Sequence, residues 1–488
     1  MPEPRIVAFL CNGCAYAAAD GAGRAKLGYP QSLLPIRVMC TGRVEPAFIL
    51  QAFREGADGV LVAGCHPGDC HYLDGNLRAA ARHALLLGLL GQLGVSAERC
   101  RLEWIGASQP DRFAEVAREM TERIRALGPL KVGSQALDEV ERALWAAEPR
   151  RRPEPPPAAM ATTEGKPKIA FYWNASCGGC EEAVLDLNED LLPVLERVEV
   201  VLWPVALDHK RKDVEALPDG AIAVTFLNGA IRLDEQEEWA RLLRRKSQRV
   251  VAFGACAHTG GIVGLGNLTS RGEILETAYR SLPSVANPGD PTPGAFGQRA
   301  LLQGRDVTLS PLRQAAVPLS EVVEVDYVLP GCPPSPAVVA PALARLLGGD
   351  LPPRGAVLAP DTSLCEVCTR HDSKPERIEV TTLADLATTI PDAGRCFLAQ
   401  GIACMGPATR SGCEPGCVGA NMPCRGCFGP LDGVADPGAA MLSALASLFQ
   451  GDAAEVARLA GQVADPVGTF YRYGLASHAL PGRPGAGR

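Results

Sequence analysis

Two stretches of this 488-residue chain end an apolar run in a C-x-x-C pair. "RIVAFLCNGC" closes on Cys11 and Cys14, and "KIAFYWNASCGGC" closes on Cys177 and Cys180. Thiols at that spacing ligate metals or exchange electrons. The chain holds 18 cysteines, and only Cys100 stands far from any partner in sequence. Reducing compartments disfavour disulfides, so clustered thiols read first as metal ligands or redox groups. Cys100, at the start of the strand-like "CRLEW", reads instead as a small buried hydrophobe.

The other cysteines fall into groups. Cys11, Cys14, Cys40, Cys65 and Cys70 each follow an apolar run in the first 70 residues. Cys177, Cys180, Cys256 in "GACAHTGG" and Cys332 in "PGCPPSP" form a second, widely spaced set. Four thiolates from separate loops suit a cubane iron–sulfur cluster, with glycines and Pro333–Pro334 supplying tight backbone around it. A structural zinc is the bland alternative, but zinc ribbons use two compact pairs. Residues 365–427 hold eight more: Cys365, Cys368, Cys396, Cys404, Cys413, Cys417, Cys424 and Cys427. Hydrophobic periodicity is weak there, so metal coordination is expected to substitute for a core.

The elements that must position these thiols alternate. "RIVAFL", "IRVMC", "GVLVAGC" and "RLEWIGA" read as strands, with helical periodicity in "EPAFILQAFREGA" and "GNLRAAARHALLLGLLGQL". That rhythm implies a parallel sheet with crossover helices. Ligands of open α/β sheets bind at the carboxyl ends of the strands, where all five N-terminal thiols fall. A Pro-rich tether follows at 146–167, expected to be an extended spacer that few packed contacts cross. The rhythm restarts at Lys168 with "KIAFYWNA", "VEVVLWPV", "AIAVTFLNG", "RVVAFGACA" and "EVDYVLPGC". This resembles a flavodoxin-like sheet, with "CGGC" where a hydroxyl-rich phosphate loop would lie. A Pro/Gly-rich insertion occupies roughly 284–318, and helices are expected at "GAAMLSALASLFQ" and near 453–463.

The expected fold class is therefore α/β: two open parallel-sheet, flavodoxin-like domains joined by a Pro-rich linker, then an irregular cysteine-rich domain. The expected boundaries are 1–130, a linker at 131–167, 168–350, 351–435 and a helical tail at 436–488. A net charge of −7 and 5% aromatic residues argue against a nucleic-acid partner. No run of about 18 apolar residues suggests a membrane span, and Arg5 leads directly into a strand without a secretory pattern. A cytoplasmic chain is expected.

The combination "CGGC … GACAHTGG … PGCPP" resembles the small, electron-transfer subunit of [NiFe] hydrogenases, over about 168–435. That resemblance implies that Cys177, Cys180, Cys256 and Cys332 hold the [4Fe–4S] cluster nearest the nickel–iron site. It implies a second [4Fe–4S] cluster on Cys365, Cys368, Cys396 and Cys404, with Cys365 in place of the family's usual His. A third would lie on Cys413, Cys417, Cys424 and Cys427. Residues 1–130 look like the delta subunit of methyl-viologen-reducing hydrogenase, a [2Fe–2S] protein. Four of Cys11, Cys14, Cys40, Cys65 and Cys70 would then be ligands. Cys40 is the expected spare, because no paired thiol lies near it in sequence.

The implied protein is an electron-transfer subunit of a cytoplasmic, heterodisulfide-reductase-associated [NiFe] hydrogenase, an oxidoreductase component without its own hydrogen-activating site. Its implied partners are the [NiFe] hydrogenase large subunit, which would hold the nickel and iron, together with a heterodisulfide-reductase-type flavoprotein. That flavoprotein would carry FAD and be of the kind often used for electron bifurcation. The alternative is an iron–sulfur adaptor of another, formate- or NAD-linked complex. His66, His71 and His258 read as hydrogen-bonding neighbours of the clusters, and His371 as a substitute ligand should Cys365 not bind. Glu181 reads either as a proton carrier or as a solvated carboxylate at a helix N-terminus.

Overall fold

The structure, a computed structural model, describes residues 3–130, 152–157, 165–287, 299–302 and 305–478. Strands β1 (Ile6–Cys11), β2 (Leu33–Val38), β3 (Gly59–Gly64) and β4 (Cys100–Trp104) form a parallel sheet in the order β2-β1-β3-β4. Successive β1 side chains point to opposite faces. Ile6, Ala8 and Leu10 pack with α1 (Ala15–Arg24) and α4 (Pro110–Leu127), while Phe9 packs with α2 (Pro46–Arg54) and α3 (Gly75–Gln92). The α4 helix opens on Pro110 at its first turn and stops at Gly128, where φ is 70°. Of these four helices, α1 and α4 are additions to the elements expected above.

The second sheet comprises β5 (Lys168–Trp173), β6 (Glu199–Leu202), β7 (Ile222–Asn228), β9 (Val250–Phe253) and β13 (Tyr327–Leu329). Its order, β13-β9-β7-β5-β6, is parallel throughout and is the doubly wound flavodoxin order. An antiparallel pair, β8 (Ile231–Leu233) with β12 (Leu312–Val317), lies beside it, and β10 (Arg299–Leu302) pairs with β11 (Arg305–Thr308) inside the expected insertion. These pairings are long-range or sit in a Pro/Gly-rich stretch, so no local periodicity announces them.

Two expectations need correction. Part of the tether is not a free spacer: Glu154 N donates to Val322 O (2.8 Å) and Glu324 N to Glu154 O (2.9 Å), bonding this segment to the second domain. The remainder of the tether, 131–151 and 158–164, lies outside the described residues. Packed contacts also cross the tether in quantity. Helices Pro437–Leu448 and Ala453–Gly461 lie against α3, so Leu442, Leu445 and Leu459 share one core with Leu85, Leu86 and Leu89. The cause is that α3 is apolar on two faces, one for its own sheet and one for the tail. Leu364, Leu398 and Met405 join the same core, so the cysteine-rich segment is not held by its thiols alone. Among the described residues no helix is long and apolar enough to cross a membrane.

Candidate metal centres

At the edge of the first sheet, Cys11 ends β1, Cys14 precedes α1, and Cys40, Cys65 and Cys70 follow β2 and β3. The Sγ atoms of Cys14 and Cys65 are 3.0 Å apart, and those of Cys11 and Cys65 3.8 Å. Cys40 and Cys70 form a separate pair, at 3.8 Å. The ground for naming Cys40 the spare therefore fails, because a loop separated by 30 residues delivers its partner. Burial pushes the thiols of Cys11, Cys14 and Cys40 up, and that of Cys65 to about 12. Cys70 goes the other way. Burial opposes its thiolate, but the amides of Tyr72, Asn76 and Gly75 and the Cys40 thiol outweigh that.

The loop is built to admit these sulfurs. A Cβ on Gly75 would strike the Cys40 sulfur and come within 3.2 Å of Cys70 Sγ. Asn76, 1% exposed, donates to the carbonyls of Cys65 (3.2 Å) and His66 (2.7 Å) and so fixes the β3 loop. Neither residue stands out from sequence by its type alone, although "DGN" at a helix start is a visible signal. His66 Nε2 pairs with Gln109 Oε1 at 2.9 Å, and the His71 ring lies over Gly13 inside the C-x-x-C loop.

The second sheet gathers Cys177, Cys180, Cys256 and Cys332 at its own carboxyl edge. Burial raises Cys180, and the charges of Cys256, Cys332 and Cys177 raise it further. Cys332 is pushed up to about 11 by burial and then by Cys256 and Cys177. Gly254 and Gly261 leave room where a side chain would hit the Cys180 and Cys256 sulfurs. Glu181 is not solvated: it is buried, accepting from Trp203 Nε1 and Asn228 Nδ2, both at 2.9 Å, and burial raises its carboxyl.

Cys365 and Cys404 are each pushed to about 12, first by burial; Cys396 and Cys368 then act on Cys365. Burial, then Cys424 and Cys417 among its neighbours, takes Cys413 to about 11. Burial raises Cys427 as well, followed by Cys424, Cys413, Cys332 and Cys417. Cys424 also acts on Cys404 and Cys365. Cys413 and Cys427 pack on the core that holds Cys180, while Cys404, Cys413 and Cys424 belong to the core of Leu364 and Met405. His371 Nδ1 is engaged with the Cys365 carbonyl at 2.7 Å, and the His258 ring lies against Gly429. Arg370, missed from sequence, braces both loops: it donates to the carbonyls of Asp392 and Arg395 (each 2.9 Å) and to Asn421 Oδ1 (2.5 Å).

These donor sets fit iron–sulfur clusters. Burial keeps most of these thiols protonated on their own, and a bound cation would stabilise them as thiolates. Among the described residues, only Cys11, Cys14 and Cys65 bring three ligand atoms within 4.8 Å of one another. In the three quartets no three sulfurs come within that distance of one another. Cys100 belongs to no set and is raised to about 12 by burial alone.

Comparison with known proteins agrees with this division. Residues 6–128 match the family described as methyl-viologen-reducing hydrogenase, delta subunit, and residues 177–346 match NADH ubiquinone oxidoreductase, 20 Kd subunit. The G-type iron–sulfur subunit of the F420-non-reducing hydrogenase of Archaeoglobus profundus is 36% identical over 285 residues, 58% of this chain and 88% of that protein. The D-type iron–sulfur subunit from the same organism is 54% identical over 129 residues, 26% of this chain and 94% of that protein. The A-type subunit of a ferredoxin/F420H2-dependent CoB–CoM heterodisulfide reductase of Methanosarcina acetivorans is 43% identical over 136 residues, 28% of this chain and 17% of that protein. The class is thus an oxidoreductase component of hydrogenase type. The chain belongs to the F420-non-reducing hydrogenase iron–sulfur subunits, with a D-type and a G-type segment in one polypeptide.

Proposed function

We propose that this chain is the electron-transfer subunit of a cytoplasmic [NiFe] hydrogenase complex, linking a separate nickel–iron large subunit to a heterodisulfide-reductase-type flavoprotein. Cys177, Cys180, Cys256 and Cys332 would hold one [4Fe–4S] cluster, Cys413, Cys417, Cys424 and Cys427 a second, and Cys365, Cys368, Cys396 and Cys404 a third. Cys40 and Cys70, with two of Cys11, Cys14 and Cys65, would hold a [2Fe–2S] cluster. Such clusters supply one-electron carriers tuned by ligand, hydrogen bonding and burial.

The observation that carries this reading is the continuity of the thiol sets. Cys332 acts on Cys427, and Cys424 on Cys404 and Cys365. Leu364, Leu398 and Met405 of the cysteine-rich segment share a core with Leu85, Leu86 and Leu89 of α3, whose first residue, Gly75, lies against the Cys40 sulfur. Cys413 and Cys427 pack on the core that holds Cys180, and Cys396, Cys404 and Cys424 belong to the core shared with α3, which supports a path from the second sheet to the first. The flavoprotein partner is supported by the A-type heterodisulfide reductase protein, which is similar to this chain over 136 residues. The match of residues 177–346 to a 20 Kd oxidoreductase subunit favours the second reading, an adaptor in an NAD-linked complex.

Anaerobic reconstitution tests the cluster inventory: three four-iron clusters and one two-iron cluster require about 14 irons per chain. A plateau near half that, with stoichiometric zinc, would sink the proposal. Anaerobic co-purification then separates the two readings by which flavoprotein and which large subunit accompany the chain.

A further inference from the structure

We propose that the C-terminal segment from Asp465 to Ser477 is a positioning strut, docking the N-terminal domain at one end and holding the backbone turn over Cys256 at the other. The inference rests on the reading that Cys256 is a cluster ligand.

At the near end, Val467 N donates to Gln92 Oε1 (2.7 Å) and Gln92 Nε2 donates to Asp465 Oδ1 (3.1 Å). Pro466 packs on Gly88, where a Cβ would touch Pro466 Cγ at 3.4 Å. Between the ends the segment has no slack. Asp465 caps the turn by accepting from Gly468 N (2.8 Å), the buried Tyr471 donates to Asp436 Oδ2 (3.0 Å), and Arg472 Nε donates to Gly468 O (3.0 Å). At the far end, Tyr473 O accepts from Thr259 Oγ1 (2.6 Å) and Gly261 N (3.1 Å), and Ser477 Oγ donates to Thr259 O (2.9 Å). Ala476 fills the space that a side chain on Gly260 or Gly264 would need.

The turn so held is the one that serves Cys256. Gly261, whose amide is held by Tyr473 O, lies directly against Cys256, and a Cβ on Gly261 would come within 2.5 Å of the Cys256 sulfur. The backbone packed against a ligand and the burial it provides tune a cluster's potential. One short segment therefore registers the N-terminal domain and shapes the surroundings of the thiolate at the opposite end of that path.

The test uses the full chain, reconstituted anaerobically and followed by electron paramagnetic resonance during potentiometric titration. The signal lost in Cys256→Ser identifies the relevant cluster. Gly88→Trp, which wedges Pro466 away, should change that cluster's ratio of reduced to oxidised forms at a fixed potential at least threefold. Thr259→Val should do the same from the far end. Gln92→Leu, which removes both near-end hydrogen bonds without added bulk, replaces Gly88→Trp if that variant does not fold. An unmoved signal in the near-end variant, with the binuclear signal intact, would overturn the strut. If Cys256→Ser alters no cluster signal, the ligand reading itself fails, which is a separate outcome.

Discussion

After β1, the C-x-x-C loop turns at once into α1 and leaves Cys14 3.0 Å from Cys65. After β5, the loop passes through Gly178, held at φ 89°, and separates an exposed Cys177 from a buried Cys180. Both loops sit at the carboxyl edge of a parallel sheet and both receive thiols from neighbouring strands. The first edge condenses into a trio and a pair, whereas the second stays open. Topology thus chooses the edge where thiols meet, and the loops choose how closely they meet. That spacing is the ground for proposing a binuclear site at the first edge and a cubane at the second.

The comparison breaks most visibly at the open edge. Cys256→Ser replaces one of four spread thiolates with a harder oxygen ligand, with no neighbouring thiol to step in. In the assembled complex, viologen reduction by dihydrogen should fall more than tenfold. Cys100→Ser, buried but outside every set, should leave that rate within twofold. Equal rates in the two variants would remove Cys256 from the ligands.

The condensed edge should answer differently, because five thiols compete for four places. If Cys40 and Cys70 share one iron, serine at either should abolish or reshape the binuclear resonance of the reduced full chain. One of Cys11, Cys14 and Cys65 should be replaceable with the resonance nearly intact, since its two neighbours stand ready. A retained signal in Cys40→Ser would reverse this assignment and make Cys40 the spare after all.

What was legible in the sequence follows the same division between edge and spacing. β-branched runs ending in cysteine announce both sheets, and the C-x-x-C pairs mark where each edge lies. The stripe of Phe113, Val116, Ala117, Met120 and Ile124 in α4 is also local information that periodicity carries. The approach of Cys70 to Cys40 is not, because it depends on where two loops fold. Nor is the second apolar face of α3, whose partner lies more than 340 residues onward in Leu442 and Leu445. Glu181 reads as a surface carboxylate until Trp203, just past β6, and Asn228, at the end of β7, close over it. Residues that act by packing are visible only once their partners are in place.

The smallest effect is expected where one open set already departs from its relatives. The resemblance to the small-subunit family places Cys365 where that family usually has His, and Gly406 lies against it, a Cβ there being 3.2 Å from the Cys365 sulfur. In Cys365→His the imidazole should still ligate, with Cys368, Cys396 and Cys404 remaining to hold the iron. A neutral ring in place of a thiolate leaves the site less negative, which favours the reduced form, so the midpoint should rise while the cluster persists. Cys365→Ala offers no ligand and should lose iron. Potentiometric titration of the two variants, beside an iron assay, decides the matter. Equal iron loss in both would mean that this segment does not correspond to the family's His-bearing loop, and that the third quartet needs a different fourth member.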